Sequence, residues 1–231
     1  MIAVIDYGVG NLFSLSSSLA YLGLENKVTR SARELDEASH IILPGVGAFG
    51  DAMEKLASTG LVPELERQAE NGKPLLGICL GMQMAIVEFA RHVLGYTDAH
   101  SSELNPNTTH PVIHIMPNQH NVTDLGGTLR LGAYKCVLDE NSKAYALYGE
   151  KVIEERHRHR YEVNNDYREV LTENGMNLCG LSPDGKIVEM AEIKDHPWFI
   201  ATQAHPELKS RPNKPHPLFK GFVEAACKCK R

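Results

Sequence analysis

The stretch Pro74-Leu75-Leu76-Gly77-Ile78-Cys79-Leu80-Gly81-Met82-Gln83 joins an apolar run to the start of a helical pattern. The run predicts a buried strand, and the apolar residues at positions 82, 86, 89 and 93 predict an amphipathic helix after it. The cysteine between them has one glycine two positions before it and another two positions after it. This arrangement is typical of a nucleophile elbow, a sharp strand-to-helix turn that carries a catalytic side chain.

A second motif, His205-Pro206-Glu207, follows a predicted strand over residues 198–203. An imidazole can take the proton of a thiol and return it later, and a carboxylate can hold that imidazole in the correct tautomer. A helix N-terminus and a nearby imidazole also favour the thiolate, which is the nucleophilic form of cysteine. The two motifs therefore predict a triad of Cys79, His205 and Glu207 that attacks an amide or an ester.

The tetrahedral intermediate of such a reaction needs backbone N–H donors. The amide of Leu80, directly after the cysteine, is one candidate donor. The turn Pro44-Gly45-Val46-Gly47, at the end of a neighbouring predicted strand, offers the Val46 amide as the other, because glycines on both sides leave that peptide free to turn. We therefore expect Val46 and Leu80 to form the oxyanion hole.

The composition is that of an ordinary globular protein, with 231 residues of which 42% are hydrophobic and 23% are charged. A net charge of −5 gives no field that favours nucleic acid, and no apolar run is long enough to span a membrane. The N-terminus lacks the basic start of a signal peptide, and five cysteines, an odd number, fit free thiols in a reducing compartment. We expect a cytoplasmic protein with no nucleic-acid or membrane partner.

Other motifs give no reason to expect a metal or a cofactor. Gly8-Val9-Gly10 follows a predicted strand, but the third glycine of a dinucleotide-binding fingerprint is missing. Cys136 and Cys179 lie in apolar strand contexts and are predicted to be core residues. Cys227 and Cys229, among lysines, fit a solvated helix end without further metal ligands.

Strands and helices alternate through the first 95 residues, which predicts an α/β fold with a central, mostly parallel sheet covered by helices on both faces. The later chain is looser and predicts a smaller β-rich lobe, with a loop-rich region over residues 97–127. We expect one domain over residues 1–231. The predicted strands cover residues 2–5, 39–43, 74–78, 112–115, 129–137, 154–163, 187–193 and 198–203.

The run Arg156-His157-Arg158-His159-Arg160 alternates two residue types. In a strand, the period of two places the arginines on one face and the histidines on the other. The pattern alone leaves two interpretations open. The arginines bind a carboxylate or phosphate, or they form a salt-bridged surface with Glu154, Glu155 and Glu162.

The segment 77–83, together with Gln203 and the His205-Pro206-Glu207 motif, resembles class I glutamine amidotransferases, which implies a flavodoxin-like fold. Residues 1–83 resemble the glutaminase subunit of imidazole glycerol phosphate synthase. Residues 84–231 resemble the glutaminase domain of CTP synthase. The first resemblance is carried by residues 5–12, 43–49 and 50–53, and the second by residues 87–91, 126–132, 155–165 and 196–199. The chain therefore looks like a chimera that crosses over near residues 77–84.

The resemblance implies a role for each matched residue. A glutamine side chain would acylate Cys79, with His205 and Glu207 completing the triad. Glu103 would pair with the amine of the substrate and Arg160 with its carboxylate. The remaining residues implied to line the glutamine pocket are Gly45, Gly81 and Gln83.

The implied activity is hydrolysis of L-glutamine to glutamate and ammonia, with the ammonia passed to a synthase. Our first expectation is the imidazole glycerol phosphate synthase type, in histidine biosynthesis, with its cyclase subunit as partner. The alternatives are a CTP synthase-type glutaminase domain in pyrimidine biosynthesis that lacks its synthetase domain, a silent scaffold of the same fold, or another thiol hydrolase such as a γ-glutamyl peptidase. Ala204 and Leu208 replace larger residues usual in these families, so we expect His205 to be held less firmly.

Overall fold

A computed structural model describes residues 1–45, 49–115, 130–211 and 213–228. Within these ranges the strands are β1 (Ile2–Ile5), β2 (Asn26–Thr29), β3 (His40–Leu43), β4 (Leu75–Ile78), β5 (His100–Ser101), β6 (Pro111–Ile115), β7 (Arg130–Leu138), β8 (Val152–His159), β9 (Tyr161–Val163), β10 (Met176–Leu181), β11 (Val188–Ile193) and β12 (Phe199–Thr202). The helices are α1 (Leu12–Tyr21), α2 (Ala32–Glu37), α3 (Phe49–Ser58), α4 (Val62–Glu70), α5 (Leu80–His92), α6 (Lys143–Tyr148), α7 (Arg168–Glu173) and α8 (Pro217–Lys228).

The described strands form a nine-stranded sheet, in the order β2-β1-β3-β4-β12-β11-β10-β7-β8, and a three-stranded sheet, β5-β6-β9. The first five strands of the large sheet are parallel, and the remaining four continue antiparallel. The α/β class is confirmed. A mostly parallel sheet was expected, but the strand pairs of the large sheet are half parallel and half antiparallel. A parallel neighbour needs a crossover of roughly a dozen residues or more, and the short segment between β11 and β12 permits only an antiparallel return.

Helices cover both faces of the large sheet, as the sequence predicted. Alternate residues of β1 pack into two separate hydrophobic clusters, Ala3 and Ile5 into one, Ile2 and Val4 into the other. The first cluster includes α4 and α5, and the second includes α1 and α8. In the described part of the chain, no helix combines the length and the apolar character needed to cross a membrane.

The first predicted helix is confirmed with its cap. The Asn11 side chain accepts a hydrogen bond from the Ser14 amide at the start of α1, and Leu15 and Leu19 are buried. Strand β2, of sequence Asn-Lys-Val-Thr, was not predicted, because it is an edge strand with largely polar, exposed residues. Local hydrophobic patterns mark buried strands and give little signal for such an edge.

The Arg/His run follows the predicted alternation as far as position 159. In β8, Arg156 and Arg158 are exposed, whereas His157 and His159 are buried. The single strand expected over residues 154–163 breaks at Arg160, since β8 joins the large sheet and β9 the small one. The salt-bridge interpretation fails for Glu155, which is buried on the histidine face and lies 2.9 Å from His216 Nε2.

Candidate active site

The cysteine of the elbow lies between β4 and α5 in a strained conformation. Cys79 has φ 51° and ψ −103°, and no other described residue except glycine has a positive φ. Such a conformation costs about 1–3 kcal/mol and persists only where the surroundings impose it. The Cys79 amide donates to the Thr202 carbonyl at 2.6 Å, which fixes the elbow to the end of β12.

Glycines allow the end of β3 to approach the first turn of α5. A Cβ at Gly81 would lie 2.2 Å from the Leu43 carbonyl oxygen, and a Cβ at Gly45 would lie 2.4 Å from the Leu80 Cβ. Leu80 is the first residue of α5, and the first amides of a helix have no partner within it. Val46 lies outside the described residues, so its place in an oxyanion hole stays a prediction.

The two other members of the predicted triad are in contact. His205 Nδ1 lies 2.8 Å from Glu207 Oε1, and both side chains are buried. Because the carboxylate can only accept, Nδ1 carries a proton and Nε2 is left to face the thiol. Burial alone would lower the pKa of His205, but interactions with Cys79 and Glu207 raise it to about 10. The imidazole therefore holds a proton on each ring nitrogen beside Cys79 and Glu207.

The substitution at position 204 does not leave His205 unsupported. Ala204 is buried, and the His205 amide donates to the Arg156 carbonyl at 2.8 Å. Leu208 is 40% exposed. The hydrogen bond to β8 therefore holds the His205 backbone, and the Glu207 carboxylate holds its ring.

Two glutamines contact each other beside the sulfur. The Gln203 Nε2 donates to Cys79 Sγ at 3.5 Å, and its Oε1 accepts from Gln83 Nε2 at 3.0 Å. Gln83 Nε2 also donates to the Tyr161 carbonyl at 2.9 Å. Gln83 was expected to line the glutamine pocket. Both N–H groups of its side-chain amide donate to other atoms of the protein. Sequence reasoning gave Gln203 no role, because only the fold brings it to the cysteine.

Tyr7 is a second residue near the elbow that sequence reasoning missed. Its hydroxyl donates to the Pro44 carbonyl, which fixes the turn that carries Gly45. Burial raises the pKa of this phenol, and the nearby Cys79 charge adds to the rise. Tyr7 is therefore a neutral donor that supports the turn from β1.

The residues expected to bind the ends of an amino acid lie near Tyr161. Glu103 is half-buried in the turn after β5, where its amide donates to Ser101 Oγ. Arg160 is half-buried between β8 and β9. Burial raises the pKa of Tyr161, the Glu103 charge raises it further, and the Arg160 charge lowers it. Both charges therefore act on the same phenol.

Two clusters of side chains have the spacing of metal ligands among the described residues. Buried His157, His159 and Glu189 form one, but the Arg130 guanidinium already donates to Glu189, and its charge opposes a cation there. Half-buried Glu66 and Glu88 and exposed His92, on α4 and α5, form the other. Neither contains a member of the predicted triad.

Comparisons with known proteins identify the family of the chain. The sequence profile of "Glutamine amidotransferase class-I" matches residues 3–225. The chain is 51% identical to the CTP synthase of Clostridium beijerinckii over 209 residues, covering 90% of this chain and 38% of that protein. It is also 51% identical to the CTP synthase of Geobacillus kaustophilus over 221 residues, covering 95% of this chain and 40% of that protein. The chain thus spans about two fifths of the length of these relatives.

A solved structure described as "Trypanosoma brucei CTPS - glutaminase domain with bound acivicin" superposes with a TM-score of 0.84. The two are 29% identical, and the match covers 98% of this chain and 93% of the other. The comparisons give no support to an imidazole glycerol phosphate synthase type. The Geobacillus match covers 95% of the chain, so it includes most of residues 1–83, the part assigned to that type. A crossover near residues 77–84 stays a prediction.

Proposed function

The chain belongs to the class I glutamine amidotransferase family, and on that premise we propose that it is a glutaminase domain of the CTP synthase type. It hydrolyses L-glutamine to glutamate and ammonia. The observation that carries this proposal is the strained Cys79 at the start of α5, beside the buried pair of His205 and Glu207. About 51% identity with two CTP synthases supports this type.

The proposed reaction has two halves. Cys79 Sγ attacks the side-chain carbonyl carbon of glutamine, and the charge on the carbonyl oxygen meets backbone amides at Leu80 and Val46. The C–N bond then breaks, and His205 gives its proton to the nitrogen that leaves as ammonia. In the second half, water gives a proton to His205 and its oxygen attacks the thioester, which releases glutamate and the thiolate.

We assign recognition of the amino acid to two opposite charges. Arg160 takes the carboxylate of glutamine and Glu103 takes its ammonium group. Their opposite effects on the pKa of the same Tyr161 phenol support this assignment. Gly45 and Gly81 carry no side chain, so the end of β3 and the first turn of α5 can lie close together beside the scissile amide. Gln83 lines the pocket through its Oε1.

The proposed partner is a synthetase-type domain or chain that accepts the ammonia. The relatives are CTP synthases of which this chain matches about two fifths, so the rest of those proteins is the natural source of such a domain. We expect glutamine hydrolysis to increase when the chain is mixed with a synthetase domain of a CTP synthase. We expect no increase with a histidine-pathway cyclase. A gain with the cyclase alone would overturn the partner assignment.

A labelling experiment tests the glutaminase itself. A diazo-ketone analogue of glutamine should add once to the intact chain, and glutamine should slow the addition. The Cys79→Ala variant should not react, whereas a variant of a buried cysteine outside the site, Cys136→Ala, should react like the parent. A folded parent chain that forms no adduct would favour the silent scaffold, and an adduct that glutamine does not slow would favour a different thiol hydrolase.

A further inference from the structure

We propose that Gln203 is a positioning residue for the nucleophile, whose side-chain N–H group is held against the Cys79 sulfur by a buried chain of hydrogen bonds. This inference builds on the proposed glutaminase, because it assigns a role within the same site. Gln203 is fully buried, so no solvent molecule competes for its amide. Its Nε2 lies 3.5 Å from Cys79 Sγ.

The direction of the Gln203 amide follows from its neighbours. The Tyr161 carbonyl can only accept, so the group of Gln83 that lies 2.9 Å from it must be the NH₂ group. The second hydrogen of that group points to Gln203 at 3.0 Å, and there it needs an acceptor, which is Oε1. The NH₂ group of Gln203 is then left for the sulfur. The orientation is thus fixed by a backbone carbonyl, two side chains away from the cysteine.

The same carbonyl is held from its other side by the histidine face of β8. His159 Nδ1 lies 3.1 Å from the Tyr161 oxygen and therefore donates to it. With that proton on Nδ1, the neutral ring of His159 accepts at Nε2 from His157 Nδ1, 3.2 Å away. Burial lowers the pKa of His157 to about 2 and that of His159 to about 3, so both rings are neutral.

The chain of contacts therefore runs from β8 through the Tyr161 carbonyl, Gln83 and Gln203 to the sulfur. His159, Gln83 and Gln203 each have one arrangement of donors and acceptors that satisfies their neighbours, so none of the three can reverse without breaking a buried hydrogen bond. A donor fixed against the sulfur stabilises the thiolate relative to the thiol. Gln203 thus complements the imidazole of His205, which acts on the same atom.

The test measures the sulfur directly and needs no glutamine. Iodoacetamide alkylation of Cys79, followed on its own peptide by mass spectrometry, has a rate that rises with pH as the thiolate forms. In Gln203→Met, which has a similar volume and no N–H group, the midpoint of this profile should move up by roughly one pH unit. Gln203→Glu, which places a carboxyl group against the sulfur, should move it at least as far. Gln83→Met should move it less, because the Gln203 amide then loses its fixed direction.

The matched control is Gln68→Met, which makes the same change at another buried glutamine that bonds Asp36 and Glu64 away from the site. Its profile should match that of the parent. An unchanged profile in a folded Gln203→Met variant would overturn the inference, and so would an equal shift in the control. The diazo-ketone labelling of the parent chain is independent of these variants. A parent that labels while the Gln203 profile stays unchanged rejects this inference and leaves the glutaminase standing.

Discussion

Cys79 has a strained backbone and lies beside a crowded first turn of α5. The crowding is possible because Gly45 and Gly81 carry no side chain. Its φ of 51° is maintained by the hydrogen bond that its N–H donates to the Thr202 carbonyl and by the approach of Leu43 to Gly81. Strain of this kind occurs at functional sites because the surrounding structure over-determines it. The glycine two positions after the cysteine is therefore needed for packing as much as for the turn itself.

Gly81→Ala should destabilise the chain and abolish labelling of Cys79. The new Cβ would lie 2.2 Å from a backbone oxygen, which cannot move aside as a flexible side chain can. We expect a loss of about 2–3 kcal/mol in the free energy of unfolding, from overpacking and a displaced elbow. Urea denaturation and the diazo-ketone adduct measure the two effects.

Gly185→Ala provides the comparison for Gly81→Ala. Unlike Gly81, Gly185 has a positive φ, of 71°, but nothing lies within 4 Å of a Cβ built there. The cost should be only that of the left-handed conformation, about 1 kcal/mol, with labelling retained. Equal losses at the two glycines would contradict the crowding argument.

Glu207→Gln should change how stability depends on pH. In the folded chain His205 has a pKa of about 10, above its ordinary 6.5, so its protonation stabilises the fold fully below pH 6.5 and that stabilisation is lost as the pH rises to 10. Removing the Glu207 charge lowers the folded pKa. The variant should therefore be less stable than the parent at pH 6, and the gap should close towards pH 10.

Urea denaturation at pH 6, 8 and 10 measures this gap, which can change by up to about 1.4 kcal/mol per pH unit for one proton. Glu173→Gln, on an exposed position of α7, removes the same charge far from the site. Its stability should stay parallel to that of the parent. A Glu207→Gln gap that is constant with pH would contradict the ion pair.

At the scale of elements, a buried ion pair joins β7 to β11. The Arg130 guanidinium donates to Glu189 and lies 4.3 Å from the centre of the Tyr134 ring. Burial raises the pKa of Glu189 to about 7, although Arg130 acts to lower it. The carboxyl group therefore titrates near neutral pH, and Arg130 favours its charged form.

Arg130→Met should cost about 3–5 kcal/mol at pH 8, because it leaves a buried carboxylate without its partner. The folded pKa of Glu189 already exceeds the unfolded 4.5, so its ionisation weakens the fold as the pH rises through 7. Without Arg130 this loss grows, and it should shrink again at pH 5, where the group is protonated. The free energy of unfolding at the two pH values measures the difference.

A double variant, Arg130→Met with Glu189→Met, separates the pair from its packing. Replacing both charges by apolar groups is often neutral or stabilising, so the double variant should recover most of the loss. Its stability should also lose the dependence on pH around 7. A double variant as unstable as Arg130→Met alone would show that packing, not the charge, carries the effect.

At the scale of the whole molecule, the two halves of the chain meet inside one sheet. Strand β12, from the second half, pairs with β4 from the first half in parallel register and with β11 on its other side. The parallel and antiparallel parts therefore share a continuous ladder of hydrogen bonds. We infer that residues 1–231 fold as one domain, whatever the origin of each half.

Unfolding should consequently be a single cooperative transition. Trp198, the only tryptophan of the sequence, precedes β12 and packs on Phe222 of α8, with ring centroids 5.2 Å apart. Its fluorescence reports the junction, and far-UV circular dichroism reports the entire backbone. The two urea midpoints should coincide, as for a two-state domain. Separate midpoints would indicate that the halves unfold independently.

Several features were predictable because they depend on local pattern. The spacing of apolar residues predicted α5, and the period of two in the Arg/His run predicted that the arginines and the histidines of β8 lie on opposite faces. The edge strand β2 and the two-residue strand β5 gave no such signal. The break at Arg160, which sends β9 to another sheet, depends on pairing partners distant in sequence.

The sequence by itself determined the α/β class, the elbow at Cys79 and the identity of the candidate base and its carboxylate, because each depends on residues a few positions apart. Only the tertiary structure decided that the sheet turns antiparallel after β12, that Gln203 contacts the sulfur and that Gln83 donates to Gln203. The physical reason is the range of the interactions. Periodicity and turn chemistry act between neighbours in the chain, whereas a buried hydrogen bond between residues 124 positions apart exists only after the strands that carry them have paired.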